Sequence, residues 1–347
     1  SGAFTLPGKP RTSPTMHELA DEAGVSIATV SRVINGNRPV GKDLEERVHK
    51  AMKKLHYHPS SLARSLKMNK TMLVGILVPL LEHPGYSRMA SGVEKSLFER
   101  GYRGLICNSE EDETRENKYI EMLLQQRVDG IIINTSARNP AYLTELQKNN
   151  MPIVLFDRTV QGVDCHQVFC DNSLGGYSGV EYLAQTGHKR IGLIAAPAYP
   201  EVMQRRLAGA KEAMMHYQMD EDPDLIQIKD TQWFEMGYEA GTRLLQMKNP
   251  PTAIFSLTDV TAVGVMHAAI DMGIRVPDEL SIVGYDDLPI ASYTMPKLTT
   301  VRQPLLEMGE MAVNFLMRSI ENPDAPSERA VLETRLVERQ STAPPRR

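Results

Sequence analysis

The sequence has 347 residues, of which 41% are hydrophobic and 24% are charged, enough for two or three domains with large cores. It has no apolar run near the roughly 18 residues that span a bilayer and no signal-peptide pattern, so we expect neither a membrane protein nor a secreted one. The net charge is −4, and the charged residues are unevenly distributed. Residues 1–70 carry 12 basic and 6 acidic side chains, whereas the remainder carries 27 basic and 37 acidic ones. A basic segment on an acidic body favours phosphate binding at one end. The three cysteines follow no pattern and are predicted to be reduced thiols of a cytoplasmic protein.

Residues 1–14, rich in Pro, Gly and Ser, are predicted to form a disordered tail, and two short helices follow over residues 15–35. Thr15 can cap the first helix in a capping box with Glu18, and Gly24 suits a tight turn. Ser26 can cap the second helix, and a third helix is predicted over 41–55. This pattern favours a helix-turn-helix. The alternative for this stretch alone is an ordinary αα-hairpin.

The segment YHPSSLARSLK follows, in which Pro59 suits the first position of a helix of about two turns. Together with VSIATVSRVING, it resembles the headpiece and hinge of the LacI–GalR family of bacterial transcription regulators. GVEKSLFERGY, VDGIIIN, DNSLGG and VGYDDLPIASYTMPKLTTVRQP extend the likeness, which is strongest to the branch of ribose and purine repressors. The resemblance implies a DNA-binding domain over 15–58 and a hinge helix and linker over 59–71 that orders on DNA in the minor groove.

Residues at the start of the second helix would face the major groove. Ile27 and Ala28 can contact thymine methyl groups, and Arg32 is the candidate for reading guanine, with a phosphate contact as the alternative. The other candidates are expected to bind phosphates or cap helices, namely Thr15, Ser26, Thr29, Ser31 and Asn35. In the hinge, Ala63 can lie near the groove floor and Arg64 and Lys67 along the backbone. Leu66 matches the family's intercalating leucine, although it could instead pack one hinge helix against another.

Beyond residue 71, apolar strands alternate with amphipathic helices at 25–35 residues per unit, which predicts parallel doubly wound sheets. The family resemblance implies two Rossmann-like lobes joined by three crossings, as in periplasmic sugar-binding proteins. Lobe 1 would comprise about 72–171 and 304–331, and lobe 2 about 172–303 and 332–347. The last helix, near 305–320, would pack on lobe 1.

Open α/β lobes bind ligands at the carboxyl ends of their strands. Candidate ligand-binding residues at such ends, or in the helices that follow them, are Tyr86, Asp157, Arg158, Arg206, Trp233, Thr258, Asp286 and Gln303. Carboxylates and guanidinium groups bind sugar hydroxyls in pairs, and aromatic rings stack on the C–H face of a sugar. For any single charged residue, an interlobe salt bridge is the alternative. Thr258 stands where the family usually has Asn. Residues 199–204 lack the Arg and Thr that the purine repressor uses on its base.

These features predict a homodimeric repressor on a pseudo-palindromic operator, released by a small sugar such as ribose or another aldose. A regulator that depends on a corepressor or a phosphocarrier protein is the alternative within the family. An enzyme, a periplasmic receptor and a constitutive DNA-bending protein are less favoured. The sequence lacks nucleotide-binding, nucleophile-elbow and metal-ligand motifs, so no cofactor, metal or catalytic residue is expected.

Overall fold

The computed structural model describes residues 14–35, 39–57, 70–135, 141–160, 162–196, 200–220, 222–229 and 233–346. The chain divides into two compact units, residues 1–71 and residues 72–347. Within its described residues, the first unit contains three helices, α1 (Met16–Ala23), α2 (Ile27–Asn35) and α3 (Lys42–Leu55). Residues 59–69 of the predicted hinge and linker, 59–71, lie outside the described residues.

The three helices of the first unit bury one small core. Its fully or nearly buried members are Leu19, Ala20 and Ala23 of α1, Val30 of α2, and Val48 and Ala51 of α3. Apolar residues at helical spacing give each helix one buried stripe, as the sequence predicts. The small alanines of α1 let the neighbouring helices approach closely.

The second unit is built from two parallel-type α/β lobes. Its strands are β1 (Leu73–Val78), β2 (Arg103–Asn108), β3 (Gly130–Ile133), β4 (Ile153–Phe156), β5 (His166–Cys170), β6 (Ile191–Ala195), β7 (Ile226–Ile228), β8 (Ala253–Ser256), β9 (Ser281–Asp286), β10 (Thr299–Arg302), β11 (Arg329–Leu332) and β12 (Arg335–Val337). Its α-helices are α4 (Pro84–Glu99), α5 (Glu113–Gln125), α6 (Ala141–Lys148), α7 (Asn172–Gln185), α8 (Pro200–His216), α9 (Trp233–Leu245), α10 (Asp259–Asp271), α11 (Pro289–Tyr293) and α12 (Leu305–Glu321).

The strands form two six-stranded sheets. The sheet of lobe 1 has the order β11-β5-β4-β3-β1-β2 and is parallel throughout, and the sheet of lobe 2 has the order β12-β10-β9-β8-β6-β7. The chain therefore crosses between the lobes three times, after β5, after β10 and between β11 and β12. Helix α12 packs against α4 and against β3, β4 and β5 of lobe 1. The predicted fold class is confirmed.

Apart from one turn of 3-10 helix over Pro223–Leu225, the structure adds three elements that the sequence does not predict, namely α11, β11 and β12. All three are short, and β11 and β12 are edge strands with partly exposed side chains, so they lack a strong apolar pattern. β12 also departs from the predicted parallel arrangement, because it runs antiparallel to β10. In the part of the chain that the structure describes, no helix has both the length and the apolar character that a membrane span requires.

Candidate functional site

The exposed face of α2 is the first candidate surface. Ile27 and Ala28 in its first turn and Arg32 one turn later are exposed, whereas Val30 is fully buried in the core of the first unit. Positions four apart share a helix face, so Ala28 and Arg32 lie on the same side. The start of α2 thus presents two apolar side chains beside one long cation.

Capping hydrogen bonds fix the beginnings of α1 and α2. The Thr15 hydroxyl accepts from the backbone N–H of Glu18 at 3.2 Å, and the Glu18 carboxylate accepts from the Thr15 N–H at 2.6 Å. The bond from the Thr15 N–H, and a second one that the Thr15 hydroxyl donates to the same carboxylate at 3.0 Å, lower the pKa of Glu18. The Ser26 hydroxyl accepts from the N–H of Thr29 at 3.2 Å and lies 2.9 Å from its hydroxyl. The predicted caps at Thr15 and Ser26 are confirmed.

The turn between α1 and α2 is held by α3. Gly24 adopts φ +61°, a conformation that strains most other residues, so glycine suits the end of α1. Arg47 of α3 donates from Nε to the carbonyl of Ala23 at 3.1 Å and from Nη2 to that of Gly24 at 2.7 Å. These bonds satisfy carbonyl groups that the helix end leaves open. Of the remaining DNA-binding candidates, Ser31 is half-buried in α2. The side chain of Asn35, together with Ala63, Arg64, Leu66 and Lys67, lies outside the described residues.

The second candidate site is a cavity between the two lobes of the second unit. It is lined by His83, Gly85, Tyr86, Met89 and Asp157 of lobe 1, by Val202, Met203, Arg206, Trp233, Thr258 and Asp286 of lobe 2, and by Gln303 at a crossing. The cavity has a volume of about 30 Å³. That volume accommodates one or two water molecules and is too small for a monosaccharide.

A buried ion pair forms the polar centre of the cavity. Asp286 is 3% exposed, and its Oδ1 accepts from Gln303 Nε2 at 2.8 Å and lies 3.1 Å from Arg206 Nη1. The Arg206 guanidinium also donates to Asn172 Oδ1 at 2.9 Å and to the carbonyl of Leu257 at 2.7 Å. These bonds compensate for taking both charges out of water.

Close helix packing brings Arg206 to this position. A Cβ atom on Gly176 of α7 would lie 1.9 Å from the carbonyl oxygen of Arg206 on α8, so glycine is required there. The guanidinium carbon then lies 3.8 Å from the centroid of the Tyr285 ring, which is a cation–π distance. Arg206 is therefore held by its backbone, its ring partner and its hydrogen bonds together.

Four cavity-lining side chains each carry a buried polar atom that has no hydrogen-bond partner among the described residues. These atoms are His83 Nε2, Asp157 Oδ1, Asp286 Oδ2 and Gln303 Oε1. Buried polar atoms in folded proteins are nearly always hydrogen-bonded, because each unsatisfied group costs about 1–3 kcal/mol. Four such atoms around one cavity are typical of a polar-ligand site.

Burial changes the ionisation of this site. It raises the pKa of Asp157 to about 7, against the opposing charges of Arg206 and Arg158. It also raises the pKa of Asp286, although the Arg206 charge and the hydrogen bond from Gln303 counteract it. Burial and then the charge of Arg206 lower the pKa of His83 to about 4. The imidazole is therefore neutral at pH 7.

Two contacts join the lobes around the cavity. The ring of His83 from lobe 1 meets the ring of Trp233 from lobe 2 edge-on, with 4.6 Å between centroids. Elsewhere between the lobes, the Thr159 hydroxyl of lobe 1 donates to the Glu201 carboxylate of lobe 2, and Arg205 Nη2 donates to that hydroxyl at 3.3 Å and to Glu201 at 2.8 Å. The structure thus has the two lobes closed on each other.

The structure brings together seven of the eight predicted ligand-binding residues. Tyr86, Asp157, Arg206, Trp233, Thr258, Asp286 and Gln303 all line the cavity. Arg158 is buried but does not line it. Thr258 caps α10, since its hydroxyl accepts from the N–H of Thr261 at 3.2 Å and donates to the Thr261 hydroxyl at 2.8 Å.

Sequence reasoning missed five of the lining residues, namely His83, Gly85, Met89, Val202 and Met203. His83 caps α4, because its Nδ1 accepts from the N–H of Gly85 at 3.2 Å. The sequence does contain a signal for this cap: a polar residue directly before Pro84, which is favoured at the first helical position. That pattern starts the helix at Pro84 rather than at Tyr86 and places His83 at the cleft.

Comparisons with known proteins agree with this architecture. Residues 15–60 match the family model described as bacterial regulatory proteins, lacI family, and residues 180–342 match a periplasmic binding protein-like domain. The chain is 38% identical to the ribose operon repressor of Escherichia coli over 94% of this chain and 99% of the relative. It is also 38% identical to the HTH-type transcriptional repressor PurR of Proteus mirabilis, over 95% and 97% of the two chains.

Two solved structures extend the comparison. The lac repressor dimer bound to operator and the anti-inducer ONPF superposes with a TM-score of 0.85 at 27% identity and covers 96% of this chain and 100% of its own. A LacI family transcriptional regulator from Enterococcus faecium with bound ribose superposes with a TM-score of 0.70 at 31% identity and covers 78% and 99%. With nearly full-length relatives at 38% identity, this chain belongs to the lacI family of bacterial regulatory proteins.

Proposed function

We propose that the protein is a cytoplasmic transcriptional repressor whose affinity for operator DNA is switched by a small neutral sugar bound between its lobes. It acts by binding and not by catalysis. The observation that carries the proposal is the cavity around Arg206 and Asp286, with its four polar atoms that lack a partner. The helix-turn-helix and the hinge would transmit a change in the cavity to operator affinity.

The chemistry of the cavity favours a polyol. Asp157, Asp286 and Gln303 offer acceptor oxygens from both lobes and a crossing, which hydroxyl groups can satisfy as donors. Tyr86 and Trp233 add aromatic surface for the C–H face of a sugar. An anionic ligand would meet the acidic side chains of Asp157 and Asp286, and the Arg206 guanidinium in the lining is already paired with Asp286. The bound ribose in the Enterococcus faecium relative supports an aldose as effector.

The proposed DNA contacts lie on α2 and in the hinge. Ile27 and Ala28 would contact thymine methyl groups, and Arg32 would bind guanine, while Thr15, Ser26, Thr29, Ser31 and Asn35 position the helix. Ala63, Arg64, Leu66 and Lys67 would contact the minor groove and its backbone. One headpiece reads few base pairs, so we propose a homodimer on a two-fold symmetric operator, as the operator-bound dimer of the lac repressor supports.

The switch follows from the closed cleft. A cavity of about 30 Å³ has no room for a monosaccharide, so the lobes must separate for one to enter. A sugar held by both lobes then sets a new angle between them. In a dimer, that change alters the spacing of the two hinges. We propose that the sugar acts as an inducer and weakens operator binding.

The test uses the full chain. A DNA site is first selected from a random library, and its affinity is measured by fluorescence anisotropy without sugar and with D-ribose, D-xylose, D-glucose, D-galactose or D-gluconate at saturation. We expect one neutral sugar to weaken binding about 30- to 150-fold, for a coupling of about 2–3 kcal/mol, and gluconate to have no effect. Tighter binding with sugar would instead indicate a corepressor. No selected site, or no response to any neutral sugar, would contradict the proposal.

A second measurement tests the proposed dimer and the assignment of DNA binding and sugar binding to separate parts of the chain. Removing residues 1–71 should abolish operator binding and leave a body that sediments as a dimer and binds the same sugar, because the structure divides at that point. A body that is monomeric at micromolar concentration would contradict the proposed dimer.

A further inference from the structure

His83 is the cavity-lining residue whose chemistry differs most from that of its polar neighbours. It is 8% exposed, and its Nε2 has no hydrogen-bond partner among the described residues. The other three polar atoms without partners in the lining are carboxylate or amide oxygens, which accept hydrogen bonds. The Nε2 nitrogen of His83 can add a hydrogen-bond donor to these three acceptor oxygens.

The cap on α4 determines which ring nitrogen carries the proton. Nδ1 accepts from the backbone N–H of Gly85 at 3.2 Å, so Nδ1 must keep its lone pair. A neutral imidazole has one N–H, and it therefore lies on Nε2. The lowered pKa of about 4 keeps the ring in this neutral form at physiological pH. The helix cap thus makes Nε2 an obligatory donor.

Two aromatic side chains hold the ring in place. The Tyr86 ring, in the first turn of the helix that His83 caps, lies 5.2 Å from the His83 ring between centroids, and the Trp233 ring lies 4.6 Å away on the opposite lobe. Both are tilted relative to the imidazole, which is a favourable arrangement for ring pairs. Packing on two sides and the bond to Gly85 together restrict the direction of the Nε2–H bond.

We propose that His83 is a specificity-determining residue, whose Nε2–H donates a hydrogen bond to one acceptor oxygen of the effector. This inference rests on the proposed function, since it describes how the sugar of that function is recognised. It adds a requirement: the effector must present one oxygen as an acceptor to His83 while its other hydroxyl groups donate to Asp157, Asp286 and Gln303. A sugar that lacks that oxygen leaves a buried N–H unsatisfied and is rejected.

Two substitutions separate this role from capping and from packing. His83→Asn keeps a capping acceptor, since Asn is among the preferred residues at that position, but it removes the ring and cannot reach as far. His83→Phe keeps a ring between Tyr86 and Trp233 but removes the cap. Neither variant places an N–H where Nε2 lies, because Phe has no donor and the amide nitrogen of Asn lies closer to the backbone.

The experiment is calorimetric titration of full-length wild type and both variants with D-ribose, D-xylose, D-glucose and D-galactose and with their 2-deoxy and 3-deoxy analogues. It is done at about pH 8, where Asp157 is ionised. We expect both variants to lose roughly 5- to 150-fold in affinity for the sugar that the wild type binds. One deoxy analogue should show the same loss with wild type and no additional loss with either variant, because the same hydrogen bond is removed in each case.

The outcomes that overturn the inference are distinct from failure of the proposed function. Wild-type affinity in His83→Asn would reduce His83 to a helix cap, and wild-type affinity in His83→Phe would reduce it to a packing residue. Nitrogen-15 NMR that shows the proton on Nδ1 in the unliganded protein would also overturn it. A wild type that binds none of the four sugars would instead contradict the proposed function, and the inference with it.

Discussion

Arg206 and Asp286 form their ion pair within one lobe, with 3.1 Å between Nη1 and Oδ1. Both residues belong to lobe 2, so the pair does not depend on the two lobes being closed. Lobe 2 therefore keeps its charged half of the site assembled when the cleft opens, whereas Asp157 and His83 approach it from lobe 1. A site of this kind is preorganised on one side and completed by closure.

Replacing Asp286 should uncouple sugar binding from DNA binding. Asp286→Asn keeps a side chain that can accept from Gln303 and removes the carboxylate, so sugar affinity should fall at least tenfold while operator affinity stays near that of the wild type. The result is a repressor that the sugar cannot release, measured by operator anisotropy with and without sugar. Asp286→Ala should lose about 3–5 kcal/mol of stability as well, because it leaves the buried Arg206 without its pair. Equal induction of Asp286→Asn and wild type would remove Asp286 from the site.

Arg32 is expected to be the residue of α2 that distinguishes one DNA sequence from another. Arg32→Ala is expected to cost about 1–3 kcal/mol per half-site and to relax preference at one base pair, because an apolar residue cannot bind both guanine acceptors. Lys53→Ala removes an exposed charge of the same sign on α3 and serves as the control. If Arg32→Ala weakens binding equally on selected and random DNA, Arg32 is a phosphate contact.

Leu66 tests the predicted hinge, which lies outside the described residues. Leu66→Ala should weaken binding most on operators with a flexible central step such as CpG, because the wedge that supports the kink is removed. Binding is compared between operators with CpG and with ApT at the centre. A loss that is the same on both would favour the alternative in which Leu66 packs hinge against hinge.

His83 and Asp157 should give opposite pH dependences of stability. The pKa of His83 is lowered from 6.5 to about 4, so its stabilising contribution is present above pH 6.5 and is lost as the pH falls towards 4. The pKa of Asp157 is raised from 3.8 to about 7, so its contribution is present below pH 3.8 and is lost as the pH rises through 7. Each contribution amounts to a few kcal/mol.

The two single variants reveal these contributions in urea unfolding at a series of pH values. Relative to wild type, His83→Asn should gain stability as the pH falls from 6.5 to 4, and Asp157→Asn should lose stability as the pH falls from 7 to 4. Parallel curves for the wild type and either variant would mean that the native environment does not shift that group.

The fold and most of the residues that line the cleft could be predicted from the sequence, because both depend on strong local patterns. Buried strands end abruptly, and in a parallel sheet these ends share one edge, so polar residues such as Asp157 and Asp286 could be assigned to the site. Arg158 could not be separated from Asp157 by pattern alone. Asp157 has φ +60°, and the turn of the chain there sends adjacent side chains in different directions.

His83 was missed for a different reason. Its place in the cleft depends on where α4 begins and on a ring contact with Trp233, which is distant in the sequence. Val202 and Met203 were missed similarly, because apolar residues of a helix give no sign of which cavity they face. A sequence pattern can identify polar residues at the ends of strands, whereas contacts between the lobes are found only from the three-dimensional structure.

The small volume of the cavity also has a consequence for the rate of sugar binding. Since about 30 Å³ is too small for a sugar, and the Thr159 and Glu201 side chains join the lobes, association with a sugar would wait for the lobes to part. At high sugar concentration the observed binding rate would then reach a plateau equal to the opening rate, instead of rising with concentration. A sugar that appears for less time than the lobes take to open would leave the repressor on its operator. Opening would break the hydrogen bond between Thr159 and Glu201, so the strength of this contact would affect the shortest sugar exposure to which the proposed switch responds.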